Sequence, residues 1–315
     1  MTYTVGQTIE AADYTNFRGV NATNVAYADD SAAANKLAAL IGVGYGTRGY
    51  GQTSNVILAV SSNIAVTASQ WNSLRDAMQT VNIHTGIGTT LPNVVVAGEA
   101  IQANNGTLGR PNVAAIINTL DTSRLTYDIT QMTLSSVLTS TRSTAWNTSV
   151  LHEFTATFAS EDTARYFFNT GGTVYVSASR SGGTVSQLNS DFTTLLSSFG
   201  TIKVGALDTT ITGSGGTASA IGYYGLTGSY QTLYTKSGGG LPYYTTISYT
   251  LRARAESIVG SNGGNGSVIR FQAQFDTGLP SYDQVDGTLT SSVSQLLAGD
   301  ILVVPPPTWA TVTGV

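Results

Sequence analysis

A short glycine motif is the first stretch of the sequence that could do chemistry. GYGTRG at Gly44–Gly49 matches G-x-G-x-x-G, the loop whose backbone N–H groups cradle a pyrophosphate at a helix N-terminus. That chemistry needs a strand before the loop, a helix after it and a carboxylate about twenty residues further on. Here a helix-like segment precedes the motif, YGQTSN follows it and no suitably placed carboxylate is present, so it reads as a connecting loop. The two histidines, His84 in VNIHTG and His152 in VLHEF, lack the HExxH or HxH spacing of a zinc site, and there is no cysteine. No G-x-S-x-G elbow occurs. A Ser-His-Asp triad is recognised by geometry, so the sequence leaves it open, with ordinary hydrogen-bonded histidines as the default.

Two pairs of acids stand out, Glu161 with Asp162 and Asp283 with Asp286. Glycoside hydrolysis needs two carboxyls about 5–10 Å apart in a groove, whereas neighbours on a strand point to opposite faces. YDQVDG offers oxygen ligands for calcium but not the twelve-residue loop. The aromatic pairs Tyr223–Tyr224 and Tyr243–Tyr244, with Trp146 and Trp309, could stack on sugars, anchor an interface or fill a sheet. Interface or core is the better reading. No residue is assigned to catalysis, cofactor binding or metal ligation, and no cofactor is expected.

The composition narrows the classes. The chain has 315 residues, 41 % hydrophobic and only 10 % charged, with a net charge of −4. Charged residues make up about a quarter of an average domain, so this surface is polar without being ionic and offers little charge repulsion against self-association. No lysine or arginine block marks a nucleic-acid footprint. No run of about eighteen apolar residues predicts a membrane span, and the first residues, MTYTVGQTIEAADY, do not read as a signal peptide.

The elements that must position these residues fall into two textures, with a boundary drawn near Arg124. Residues 1–123 read as short helices and loops carrying a degenerate repeat. Aligning Ala11 with Ala68 sets Tyr14 on Trp71 and Phe17 on Leu74, each unit with an apolar lead-in (Ile9, Ile64) and a polar cap (Asp13, or Thr67 and Ser69). A looser third copy matches Ile101 and Ala103 to Ile9 and Ala11, with its helix starting near Pro111. SAAANKLAALIG reads as one short helix ended by Gly42.

Residues 124–315 read as strands. EFTATFAS alternates, and ARYFFNTGGTVYVSASRSGG is read as a strand from Arg165 to Phe168, a turn over Asn169–Gly172 and a second strand from Val174 to Ala178. In that reading Phe167 faces opposite to Tyr166 and Phe168, and Arg165 and Arg180 bind backbone carbonyls or acids. VSQLNSDFTTLLSSFG is a single amphipathic helix with Leu188, Phe192, Leu195 and Phe199 on its stripe. YYTTISYTLRARAES and GSVIRFQAQFDTG form a hairpin across GSNGGNG, and the tail beyond Pro305–Pro307 is extended. The fold class is α+β, mainly β: an N-terminal short-helix region, then an antiparallel β-sandwich-like domain carrying one amphipathic helix.

ARYFFNTGG with VYVSASRSGG and the LNSDFTTLLSSFG helix resembles virion structural proteins of tailed bacteriophages, including those that infect cyanobacteria. YTVGQTIEAADYTNF, RGYGQ, VTASQWNSLRDAM, IGYYGLTGSYQTLY and VDGTLTSSVSQL fit the same proteins, so the resemblance touches most of the chain, with Arg165–Gly183 its specific part. It implies a virion component on the tail or baseplate, as fibre or adaptor, assembled with sister copies (threefold, as in fibres) and other tail proteins. It carries no catalytic residues across. A host-receptor or glycan-binding fibre module and a capsid decoration protein are the alternatives.

Overall fold

The computed structural model describes residues 3–19, 26–53, 57–105, 112–238, 244–278, 283–299 and 301–312. Short helices come first: α1 (Ala11–Arg18), α2 (Asp30–Ala33), α3 (Leu37–Ile41), α4 (Ala68–Thr85) and α5 (Val113–Thr122). Strands β1 (Met132–Arg142) and β2 (Ser149–Thr157) lead to α6 (Glu161–Asn169), β3 (Thr173–Ser181) and α7 (Gln187–Phe199). Then follow β4 (Thr201–Val204), β5 (Thr209–Ile211), β6 (Thr217–Ala218), β7 (Gln231–Ser237), β8 (Ser248–Glu256), β9 (Val268–Asp276), β10 (Thr288–Ala298) and β11 (Thr308–Val312). The strands form two antiparallel sheets, ordered β1-β10-β3-β4-β5 and β11-β2-β9-β8-β7-β6, packed as an open sandwich. The mainly β, α+β architecture with N-terminal short helices is the one read from the sequence.

The aligned repeat units begin two helices at the matched residues, Ala11 and Ala68. Thr67 caps α4 through a reciprocal pair with Gln70, and Asp13 plays the Gln70 part on α1, accepting the Glu10 N–H at 3.1 Å. Tyr14, Phe17, Trp71 and Leu74 are all buried in one core, which Leu302 from the far end of the chain joins. The lead-ins differ: Ile9 is buried and Ile64 exposed. The third copy pairs with the first instead of repeating it, since Ile9 N–H donates to the Ile101 carbonyl and Ala103 N–H to that of Gln7. Asn112 caps its helix, through a 3.2 Å bond from the Ala115 N–H, and Pro111 lies outside the described residues. SAAANKLAALIG is two helices, not one, because Asn35 takes a left-handed φ of 56° between them.

In the sandwich, alternation places one face of each long strand inside. Small residues sit across from large ones at Ala273–Leu251, Ala253–Phe271 and Ala255–Ile269, which lets the sheets approach. Two polar tethers cross between the sheets. His152 Nδ1 lies 2.8 Å from Ser291 Oγ, and Trp309 Nε1 donates to Gln295 at 2.8 Å. The proline-rich stretch is extended and ends as β11 on β2. The β8–β9 hairpin forms as read.

The opening of ARYFFNTGG is a helix, which corrects the strand reading of Arg165–Phe168. Ser160 Oγ caps it by accepting the Thr163 N–H at 3.1 Å, and Glu161 and Asp162 occupy the first turn, where acids favour the helix dipole. Ala164, Phe167 and Phe168 recur at helical spacing and all enter the core, so Phe167 and Phe168 share a side. Asn169 is the last helical residue, and the turn spans Thr170 to Gly172. Among the described residues the β-rich part therefore carries two α-helices, not one. β3 covers the predicted second strand, with Val174, Val176 and Ala178 inward.

On α7 the stripe Leu188, Phe192, Leu195 and Phe199 is buried in the sandwich core. Phe199 stacks on Tyr249 at 4.7 Å, and Phe192 meets the edge of Trp146 at 5.0 Å. Phe192→Ala is expected to cost about 3–5 kcal/mol in denaturant melts, as buried aromatic truncations do. A loss below about half a kcal/mol, the range of surface changes, would mean that the stripe does not hold the sandwich.

Candidate functional site

The sequence-flagged residues with the most chemistry converge where the glycine loop meets α6. Arg165 is fully buried. Its Nη1 donates to the carbonyls of Gly46 (2.8 Å) and Arg48 (3.0 Å), and its Nη2 to that of Val43 (2.8 Å). Nε and Nη2 also reach Asp162 Oδ1, at 3.0 and 2.9 Å. One turn on, Asn169 Nδ2 donates to the carbonyls of Gly46 and Gly49. Tyr224 Oη lies 2.6 Å from the Gly46 carbonyl and 2.8 Å from Asn169 Oδ1. The spacing i, i+4 puts Arg165 and Asn169 on one helix face, so both read the same loop.

The loop's polarity decides its chemistry. A phosphate-binding glycine loop aims N–H groups at the ligand, whereas this one aims carbonyls at a cation. Two of its N–H groups are committed elsewhere, Gly46 to Asn262 and Arg48 to Tyr45, and just past it Tyr50 and Gly51 donate back to Leu40 and Gly42. Glycine is required by geometry here. Gly49 has a φ of +111°, and a Cβ on it would come 2.1 Å from the Val43 carbonyl oxygen. Gly51 lies against Tyr166, where a Cβ would come 2.4 Å from the ring. The loop is also held from the other side. Arg48 makes a bidentate pair with Asp121 at 2.7 and 2.9 Å and bonds Asp30. Gln52 exchanges hydrogen bonds with the Val303 backbone.

The acids serve the same junction. Glu161 sits inside the β8–β9 hairpin loop and accepts the N–H groups of Gly266 (2.7 Å), Ser261 (2.8 Å) and Gly260 (3.1 Å), plus the Ser261 hydroxyl (2.9 Å). Burial alone would raise its pKa, but these donors outweigh burial and hold the carboxyl below its ordinary range. Asp162 accepts both Arg165 and the Asn262 amide. The pair thus lies on a helix N-terminus, not on a strand, and both members are occupied.

The remaining candidates are dispersed. Asp286 accepts from Arg180, Asn189 and the Thr184 N–H, and Asp283 from Tyr244, so the two acids serve different partners. Arg180 also donates to the carbonyls of Asn189 and Gly182, in keeping with the carbonyl-binding role read for it. Among the described residues no group of three or more His, Asp or Glu could hold a metal ion. Tyr223 is buried, stacked on Phe168 at 4.6 Å, and Trp146 is buried as well. Tyr243 lies outside the described residues. Ser291, the partner of His152, is fully buried in β10, so this Ser–His contact ties sheets rather than facing a substrate. His84 is buried against Tyr50, with ring centroids 5.3 Å apart. A hollow of about 1060 Å³ between α1, α2 and residues 62–66 is lined largely by Ile9, Ala11, Ala12, Ile64 and Val66. Lys36 at its edge already donates to the Asn16 carbonyl at 3.0 Å.

Sequence reasoning missed Asn169, Tyr224, and the Arg48–Asp121 pair as parts of this junction. The signal that could have found them was scarcity. In a chain with only 10 % charged residues, an Arg and Asn four apart on an amphipathic helix are worth placing inside. Comparison with protein-family models, curated proteins and solved structures found no match.

Three outcomes are expected. Arg165→Gln should cost about 3–5 kcal/mol in urea melts, since it breaks a buried hydrogen-bonded charge network, and a loss under about 1 kcal/mol would deny the junction its weight. Thermal melts with nucleotide, calcium or magnesium should coincide with the melt in chelator, and a shift of several degrees would restore a ligand site. The third concerns pH. Burial lowers His84 and His152 from 6.5 to about 4, with Arg142 adding to the effect at His152. The unfolded chain then binds more protons between those values, so stability is complete above about pH 6.5 and falls as the pH drops toward 4. The loss is up to about 3 kcal/mol per ring, and His152→Gln should flatten the slope of urea-melt stability against pH. An unchanged slope would show that His152 titrates normally in the fold.

Proposed function

We propose that the chain is a structural subunit of a tailed-phage virion, belonging to the tail or baseplate and acting by protein–protein assembly with sister copies and neighbouring tail proteins. The observation that carries the reading is where the family-like segments lie. ARYFFN supplies Arg165 and Asn169, RGYGQ supplies the carbonyls of Arg48 and Gly49 and the amide of Gln52, and IGYYG supplies Tyr224. Three of the segments that carry the resemblance lock one part of the chain to another. The low surface charge favours packing in an assembly.

No catalytic role is proposed. Glu161, Arg165 and the His152–Ser291 pair hold buried backbone or the opposite sheet. The glycan-binding alternative calls for exposed, coplanar aromatics, and Tyr223 and Trp146 are instead core residues. The capsid alternative predicts many copies on heads and none on isolated tails.

Mass spectrometry of purified particles, separated into heads and tails, tests the reading, with antibody labelling to place the chain. Detection in tails at stoichiometric copy number is the expected result. Absence from washed particles would overturn the virion reading, and detection on heads alone would transfer it to the capsid.

A further inference from the structure

Among the described residues the two sheets have four outer edges, and three of them are short. β5 has 3 residues, β6 has 2 and β11 has 5. The fourth, β1, has 11. An edge strand exposes a row of unpaired N–H and C=O groups, and proteins blunt such edges by shortness, proline, lysine or inward charges. β1, MTLSSVLTSTR, has no proline, lysine or acid. Its one charge is Arg142 at the far end. A register shift between Ser136 and Leu138 interrupts the strand beyond its first five residues.

Those five residues are open in a defined way. Gly299 N–H donates to the Gln131 carbonyl at 2.7 Å, and the ladder continues with Met132 opposite Ala298 and Thr133 opposite Leu297. In an antiparallel ladder alternate residues turn their backbone groups to the partner. Gln131, Thr133 and Ser135 therefore face β10, while Met132, Leu134 and Ser136 face outward. No described residue hydrogen-bonds to that outer edge. Leu134 is 56 % exposed although it is an apolar side chain in a sheet.

We propose that this edge pairs antiparallel with the same edge of a second copy, about a twofold axis through Leu134. The occupant follows from self-complementarity. With Leu134 opposite its own counterpart, Met132 falls opposite Ser136, and all three outward-facing residues become hydrogen-bonded positions in both chains. The two exposed leucines meet side by side. No charge lies within the pairing, and Arg142 lies beyond the register shift. A five-stranded sheet becomes a continuous ten-stranded one. The contact is isologous and closes at two copies, which departs from the threefold arrangement implied by the resemblance. It does not rest on the virion reading, since it requires no particle.

Sedimentation of the purified full chain at micromolar concentration tests it. The wild type should run at twice the chain mass. Leu134→Pro removes an outward N–H while leaving the β10 ladder intact, and Leu134→Lys sets two ammonium groups across the axis. Each should weaken the dimer about tenfold or more, with the far-UV spectrum unchanged. Mixing Leu134→Lys with Leu134→Glu should restore the doubled mass, so the Lys and Glu variants decide the matter if the proline variant fails to fold. A wild-type monomer, a trimer, or a dimer undisturbed by Leu134→Lys would overturn the proposal.

Discussion

One buried guanidinium organises the molecule. Arg165 is fully buried, and its donors meet three backbone carbonyls from a single loop and one carboxylate from its own helix. A buried cation of this kind tolerates no partial solution, because each unmet donor or carbonyl would carry a desolvation cost. The loop must therefore turn its carbonyls inward, which its glycines allow, and α6 must stand at a fixed height above it. Glu161 then fixes α6 to the β8–β9 hairpin, and Arg48 fixes the loop to α5 through Asp121. Through these links the helical core and the sandwich core are held in one relation by polar contacts, where a larger apolar interface would otherwise be needed.

The same economy runs through the sandwich. Large and small side chains face each other across β8 and β9, which lets the other sheet approach, and α7 inserts Phe192 and Phe199 beside aromatic neighbours. His152 and Trp309 add direction, since their hydrogen bonds to Ser291 and Gln295 form only in one register between sheets. Holding His152 neutral in that position makes the fold sensitive to acid, because a proton on the ring would sit between sheets near Arg142.

The sequence made part of this legible, for reasons that differ by element. Period-two alternation is strong in β8 and β9, and GSNGGNG marks their turn, so the hairpin was readable. The α7 stripe and the matched starts of α1 and α4 were readable because caps and apolar spacing agree there. ARYFFN was misread because aromatic residues favour strands on average and a following glycine pair suggests a hairpin. The local chemistry of Ser160, Glu161 and Asp162 outweighed that preference. The junction itself could be seen only in fragments. That Arg165 binds carbonyls or acids was legible, but not that the carbonyls belong to Val43, Gly46 and Arg48, because contacts more than a hundred residues apart leave no periodicity.

The outer faces of the two sheets give the last step. Across the five-stranded sheet, Thr139, Ser292 and Ser177 form one row of hydroxyls, and Thr141, Thr290 and Ser179 the next. Across the six-stranded sheet, Glu256 joins Arg254 and Arg270, Tyr230 bonds Glu153, and Arg254 lies 4.8 Å over the Tyr230 ring. The second face satisfies its own charges and keeps its side chains in a fixed network. On the first, the hydroxyl rows on β1, β10 and β3 carry no charge, so covering them displaces only water held by hydroxyls, and Lys203 lies farther across on β4, over the Tyr175 ring. An assembly contact is cheaper to form on the hydroxyl side, and β1 is the rim of that same sheet. Composition, edge and face thus point the same way: the charges at the junction and on the six-stranded sheet hold the chain together, while the hydroxyl rows of the five-stranded sheet carry none.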